Sequence, residues 1–174
     1  METLKFVAAI ARIVSSVFVC IGVVIALLQL RADHERRKKQ ATIEYYTNIR
    51  KEFYKCLNLI NIKFGKDMVI NVKDVKDNNA ILNAISEYLS YIERLSVGIN
   101  TKVYSDTVFE RMSKIYTIRW YYRLREIILY FRKPPNNPIA YKDFEDLVYK
   151  LIDIRKKRFP KMEQDLAKMK FDFG

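Results

Sequence analysis

Residues 13–30, IVSSVFVCIGVVIALLQL, carry no charge and run directly into RADHERRKKQ at residues 31–40. As a helix, eighteen uncharged residues extend about 27 Å, close to the hydrocarbon thickness of a bilayer. The run reaches back to Phe6 if Arg12 sits near the membrane boundary. A secretory signal peptide requires small residues at a cleavage site after its apolar core, whereas here Leu27, Leu28, Gln29 and Leu30 lead into Arg31. The expectation is therefore a retained anchor. Arg31, Arg36, Arg37, Lys38 and Lys39 follow the span, while only Lys5 and Arg12 precede or enter it. By the positive-inside rule the C-terminal part faces the cytoplasm.

Around this helix the side chains are unevenly distributed. At about 100° per residue, Ala8, Ala11, Ser15, Gly22, Ala26 and Gln29 fall within an arc of roughly 60°. Bulky residues such as Ile10, Val17, Ile21, Val24 and Leu28 lie opposite. Small residues let membrane helices approach closely, and with a single span the partner is expected to be another chain. Ala8, Ala11, Ser15, Gly22 and Ala26 are thus the candidate helix contacts. Arg12, Gln29, Arg31, Arg36 and Arg37 are the candidate lining of a pore or its vestibule. The plainer reading of the basic cluster is a topology signal that also attracts anionic lipid headgroups.

The remaining pattern is helical. Four glycines and four prolines in 174 residues leave few breakers. None falls between Val23 and Phe64, where Ile43, Tyr46, Ile49, Phe53, Leu57, Ile60 and Phe64 recur at three- and four-residue spacing. Gly65 ends that helix, and residues 66–79 read as a loop with one short strand around Met68-Val69-Ile70. A second helix is expected over 80–97, stopped by Gly98, and a third from a Ser105 or Asp106 cap to about Arg132, ended by Pro134 and Pro135. A last helix begins near Tyr141 and is kinked or split at Pro160. The expected architecture is all-α: a membrane-spanning helix (1–30), a basic juxtamembrane segment with a long helix (31–64), and the remainder of a bundle of about four helices (65–174).

A net charge of +12 favours anionic partners: phospholipid headgroups, RNA or an acidic protein surface. Catalytic signatures are lacking. The single histidine, His34, lies in the charged juxtamembrane run, and no Cys–His pair stands at metal-ligand spacing. Gly22, Gly65, Gly98 and Gly174 are too dispersed for a phosphate-cradling loop. Asp143 and Asp146 read as helix-start charges rather than an acid–base pair. No catalytic residue, metal or cofactor is expected. Cys20 and Cys56, about 54 Å apart along one helix, do not pair.

Two basic segments are candidate anionic-partner surfaces. Arg119, Arg123 and Arg125 interleave with Trp120, Tyr121 and Tyr122, the equipment of single-stranded RNA binding. On a helix those rings point in different directions, which favours core packing with a basic rim. Arg155, Lys156, Lys157 and Arg158 suit a solvated face or the acidic inner leaflet equally well.

The succession RADHERRKKQ (31–40), ATIEYYTNIRKEFY (41–54) and YLSYIERLSVGINTKVYSD (88–106) behind a lone span resembles a bacterial family of single-span proteins with helical cytoplasmic domains. Within it, the chain looks most like the small membrane accessory proteins of type VI-B CRISPR systems. The resemblance implies a location in the bacterial inner membrane, an octameric ring forming a pore, and a functional partner in an RNA-guided RNA-cleaving nuclease. Depolarisation would then slow the infected cell. That group also carries a divergent ribonuclease motif, in full form an arginine four to six positions before a histidine, and no arginine stands so placed before His34.

Overall fold

The computed structural model of the chain describes the backbone of residues 2–113 and 115–159, and the side chains of 15–113 and 115–159. Among these residues the chain is all-helical: α1 (Glu2–Phe64), α2 (Val72–Val75), α3 (Asn79–Asn100), α4 (Asp106–Ser113), α5 (Tyr116–Phe131) and α6 (Lys142–Arg158). The chain divides into two compact units, Met1–Lys38 and Lys39–Gly174.

In the first unit, every described side chain from Ser15 to Arg37 is exposed, including Phe18 at 69% and Leu30 at 72%. An apolar run this long and this open is not a folded core. The helix is long and apolar enough to cross a membrane.

The second unit is built on amphipathic spacing. α3 buries Ile81, Ile85, Tyr88, Leu89, Ile92, Leu95 and Ile99 at three- and four-residue intervals, against Phe144, Leu147, Val148 and Leu151 of α6. α5 adds Ile118, Leu124 and Ile127, and α1 adds Phe53, Leu57 and Ile60. The α1 side is joined largely through rings: Phe53 lies 4.7 Å from Tyr88, Tyr46 lies 5.8 Å from Phe109, and Tyr45 lies 5.1 Å from Tyr104. Ile43, part of the apolar periodicity, is exposed at 49%.

α1 ends where expected: Gly65 adopts φ +73°, left-handed backbone that glycine tolerates best, and its N–H donates to the Asn61 carbonyl at 2.8 Å. The following segment departs from expectation. Instead of a strand it carries the single turn α2, and the buried Ile70 donates its N–H to the Arg123 carbonyl at 3.0 Å. The Asn78 side chain then caps α3 by accepting from Ile81 N–H at 3.2 Å.

Gly98 does not stop α3, which continues two residues further to Asn100. Its role is steric: a Cβ there would lie 2.3 Å from Tyr104 Cδ2. The Tyr104 N–H donates to the Gly98 carbonyl at 2.8 Å. The expected third helix is divided into α4 and α5, with Ser105 at its start accepting from Val108 N–H. α6 follows Tyr141 in left-handed backbone, φ +58°. Pro160 lies outside the described residues.

Arg132 closes the proline-bearing connection between α5 and α6. Its Nε donates to the Ala140 carbonyl at 2.8 Å and its Nη2 to the Tyr141 carbonyl at 3.2 Å. Residues 133–139 between these points are all exposed.

Candidate functional site

The candidate helix contacts and pore residues belong to the first unit. Ser15, Gly22, Ala26 and Gln29 are exposed, and nothing lies within 4 Å of a Cβ placed on Gly22. This leaves room for a neighbouring backbone on that side. Arg31, Arg36 and Arg37 are exposed too, in a collar that also holds Asp33, His34 and Glu35. Lys38 pairs with Glu35 at 3.6 Å. The side chains of Ala8, Ala11 and Arg12 lie outside the described residues.

The two basic segments do not present a uniform cationic face. Arg123 is 2% exposed and lies 4.2 Å over the Trp120 ring. Its Nε donates to the Met68 carbonyl at 3.0 Å, Nη1 to Asn61 Oδ1 at 3.0 Å and Nη2 to the Gly65 carbonyl at 2.7 Å. Burial lowers its pKa from the ordinary arginine value, with Asp67 opposing the shift. Arg123 is thus a clasp between α5 and the end of α1, removed from any partner surface. Arg155 is likewise buried, at 8% exposure, and donates to Glu110 Oε1 at 2.7 Å, while Arg158 donates to Glu110 Oε2. Glu110 is itself 1% exposed, and two guanidinium groups supply the pairing that a buried carboxylate needs. Arg119, Arg125, Lys156 and Lys157 remain on the exterior. Asp143 accepts from Asn100 Nδ2 at 2.9 Å and Asp146 pairs with Lys142 at 3.0 Å, both structural roles.

A further feature carries no short-range sequence signal. Between α1 and the α3, α4 and α5 helices lies a cavity of about 330 Å³, lined by Tyr46, Phe53, Tyr54, Leu57, Tyr88, Met112, Ser113, Tyr116, Thr117 and Trp120. Most of the lining is aromatic. Tyr88 and Ser113 are among the lining residues, and their hydroxyl oxygens are buried with no hydrogen-bond partner among the described residues. Tyr88 is fully buried, which pushes its phenol well above the ordinary tyrosine range. Tyr54, Leu57, Tyr116 and Trp120 also line an adjoining cavity of similar size, whose other walls are Asn58, Asn61, Lys66, Asp67, Arg119 and Arg123. An aromatic chamber therefore continues into a polar mouth.

Among the described residues no cluster of His, Cys, Asp or Glu is arranged to hold a metal ion. Cys20 and Cys56 are both free thiols. The Cys56 thiol donates to Glu87 Oε2 at 3.6 Å, and burial together with that carboxylate pushes its pKa up to about 11. It is not an activated nucleophile.

No curated protein and no solved structure matches this chain. Residues 16–151 match the family described as "Domain of unknown function (DUF4760)", a stretch that takes in most of the apolar run and most of the second unit, ending within α6. On that coverage, the chain belongs to the DUF4760 family.

Proposed function

We propose that this chain is a single-pass membrane protein that self-associates through its N-terminal helix to form a pore, with its second unit on the cytoplasmic side of a bacterial inner membrane. The observation that carries the reading is the helix itself. Residues 15–30 are exposed throughout, and Ser15, Gly22 and Ala26 offer one small-residue side on which a second backbone fits. Gln29 and Arg31 follow at the end expected to face the cytoplasm. On this reading the arginine collar attracts anions and anionic lipid headgroups.

The resemblance to type VI-B CRISPR accessory proteins supplies the proposed setting, in which an RNA-guided RNA-cleaving nuclease is the functional partner and depolarisation the output. The decisive experiment measures membrane potential with a voltage-sensitive dye in cells expressing the chain alone, then with an activated nuclease. Depolarisation that requires the chain and is lost in Gly22→Leu, together with loss of the oligomer in detergent, is the expected result. A preserved potential refutes the pore. It would leave a second reading, a membrane-tethered module that recruits RNA or a protein partner without forming a pore, for which exposed Arg119, Arg125, Lys156 and Lys157 offer an anionic-partner face.

A further inference from the structure

The rings that the sequence interleaves with arginine on α5 are not the ones that reach solvent. Trp120 and Tyr121 are buried, whereas Tyr116 at the start of α5 is 61% exposed and Tyr54 of α1 is 45% exposed. These two phenols border one groove of about 330 Å³, which they line together with Asn58 of α1, Lys66 and Asp67 of the connection after it, and Arg119 of α5. Three separate stretches of the chain therefore meet around it. Asn58 lies one turn beyond Tyr54 on α1, and Arg119 one turn beyond Tyr116 on α5. Residues three or four apart share a helix face, so each exposed ring has a hydrogen-bonding side chain beside it.

The groove is also positive. Lys66 and Arg119 are exposed, and neither has an ion-pair partner among the described residues. Arg50 adds a third exposed cation, its guanidinium 5.5 Å over the Tyr54 ring. The one carboxylate of the groove, Asp67, favours the protonated form of the buried Arg123, whose donors are taken by Asn61, Gly65 and Met68.

Cations alone would serve an acidic peptide, and a lipid surface would meet a projecting face rather than a groove. Exposed rings set among cations suit a single nucleic-acid strand, whose bases stack on aromatic faces while its phosphates meet guanidinium and ammonium groups. A duplex hides its base faces. In cells the strand that leaves bases unpaired is chiefly RNA. We infer that single-stranded RNA binds across this groove, with bases against Tyr54 and Tyr116, phosphates at Arg119 and Lys66, and the Asn58 amide beside a base edge. The inference deepens the tethered-module reading, on which it rests, and is independent of the pore because every residue belongs to the second unit.

The full-length protein, in nanodiscs of neutral lipid, is titrated against a fluorescein-labelled twelve-nucleotide oligouridine, read by anisotropy. Saturable binding is expected, weakening with salt at a logarithmic slope of about −0.7 per phosphate contacted. Tyr54→Ala and Tyr116→Leu should each weaken binding about tenfold, the worth of one stacked base, while Tyr116→Phe keeps the ring and should stay within about twofold of the parent. Arg119→Gln should weaken binding and shorten the salt slope by about one contact. A duplex of the same length should bind about tenfold more weakly. Far-UV circular dichroism confirms that each variant is folded. Absence of binding at low salt up to about 100 μM protein, the weak end of non-specific affinities, overturns the inference and the recruitment of RNA together. Binding unchanged in Tyr54→Ala, Tyr116→Leu and Arg119→Gln but lost in a Lys156→Gln, Lys157→Gln double variant overturns the inference alone and leaves the tethered-module reading standing. Equal affinity for the duplex, or displacement by polyglutamate as effective as by unlabelled oligouridine, also overturns it, since charge alone would then be recognised.

Discussion

Replacing Arg123 by methionine tests the clasp between α5 and the end of α1. The substitution keeps an unbranched apolar stem and removes three charged donors, which takes this partner from the carbonyls of Gly65 and Met68 and from the Asn61 amide oxygen. A hydrogen bond from a charged group is worth about 1.5–3 kcal/mol, and a cation over a desolvated aromatic face about 2 kcal/mol. These do not sum. Gly65 and Met68 are exposed residues whose carbonyls regain water, and removing a buried guanidinium also removes its desolvation penalty. The expected net loss is about 3–5 kcal/mol, what several charge-assisted hydrogen bonds and a cation–ring contact leave after those offsets. At about 2–4 °C per kcal/mol this lowers the melting midpoint by roughly 6–20 °C. Arg123→Lys retains the charge but not the planar fork, and should lose about 2–3 kcal/mol. Thermal unfolding of the full-length protein in detergent, followed by far-UV circular dichroism, measures both. A methionine variant melting within about 2 °C of the parent, or a lysine variant equal to it, refutes the clasp.

Gly98→Ala should destabilise by about 1–2 kcal/mol despite alanine's better helix propensity, because its Cβ would meet Tyr104 at 2.3 Å. The double variant with Tyr104→Ala should lose clearly less than the sum of the singles in denaturant unfolding. In a Cys20→Ser background, Cys56 should alkylate slowly at neutral pH and accelerate as pH approaches about 11. Glu87→Gln should lower that pKa and speed the reaction at neutral pH, as read by mass spectrometry. Burial alone would raise the Glu145 pKa, but hydrogen bonds from Tyr121 at 2.7 Å and Arg132 at 3.0 Å more than offset it and hold the carboxyl below its ordinary value. A depressed pKa contributes stability above the ordinary carboxylate range that is lost as pH falls through the folded-state value. Acid titration of stability should therefore show a steeper decline in the parent protein than in Glu145→Gln.

Local pattern was a good guide where local forces act. The breaker-free run to Phe64, the left-handed glycine after it, and the apolar stripe Ile81, Ile85, Tyr88, Leu89, Ile92 and Leu95 are all visible as spacing. Gly98 misled because a glycine after an apolar stripe resembles a helix stop, whereas its reason is a ring six residues later in sequence. The α4–α5 division was hidden because neither glycine nor proline stands between Asp106 and Phe131. Ile70 suggested a strand by composition, yet its N–H is satisfied by a carbonyl of α5. Arg123 read as a surface cation because its acceptors lie 55 to 62 residues away. The cavity was invisible for the same reason: Tyr88 and Ser113 sit on different helices, and only packing leaves their hydroxyls without partners.

The connection held by Arg132 offers a practical opening. Because that side chain fixes the carbonyls of Ala140 and Tyr141, the two ends of the proline-bearing stretch stay together while residues 133–139 face solvent. Lengthening a loop whose ends are already held costs little, since closure entropy grows only logarithmically with length. A peptide epitope inserted between Asn136 and Asn137 should leave the helices undisturbed. In intact spheroplasts, antibody access to that epitope tests the proposal that the second unit lies on the cytoplasmic side of a membrane.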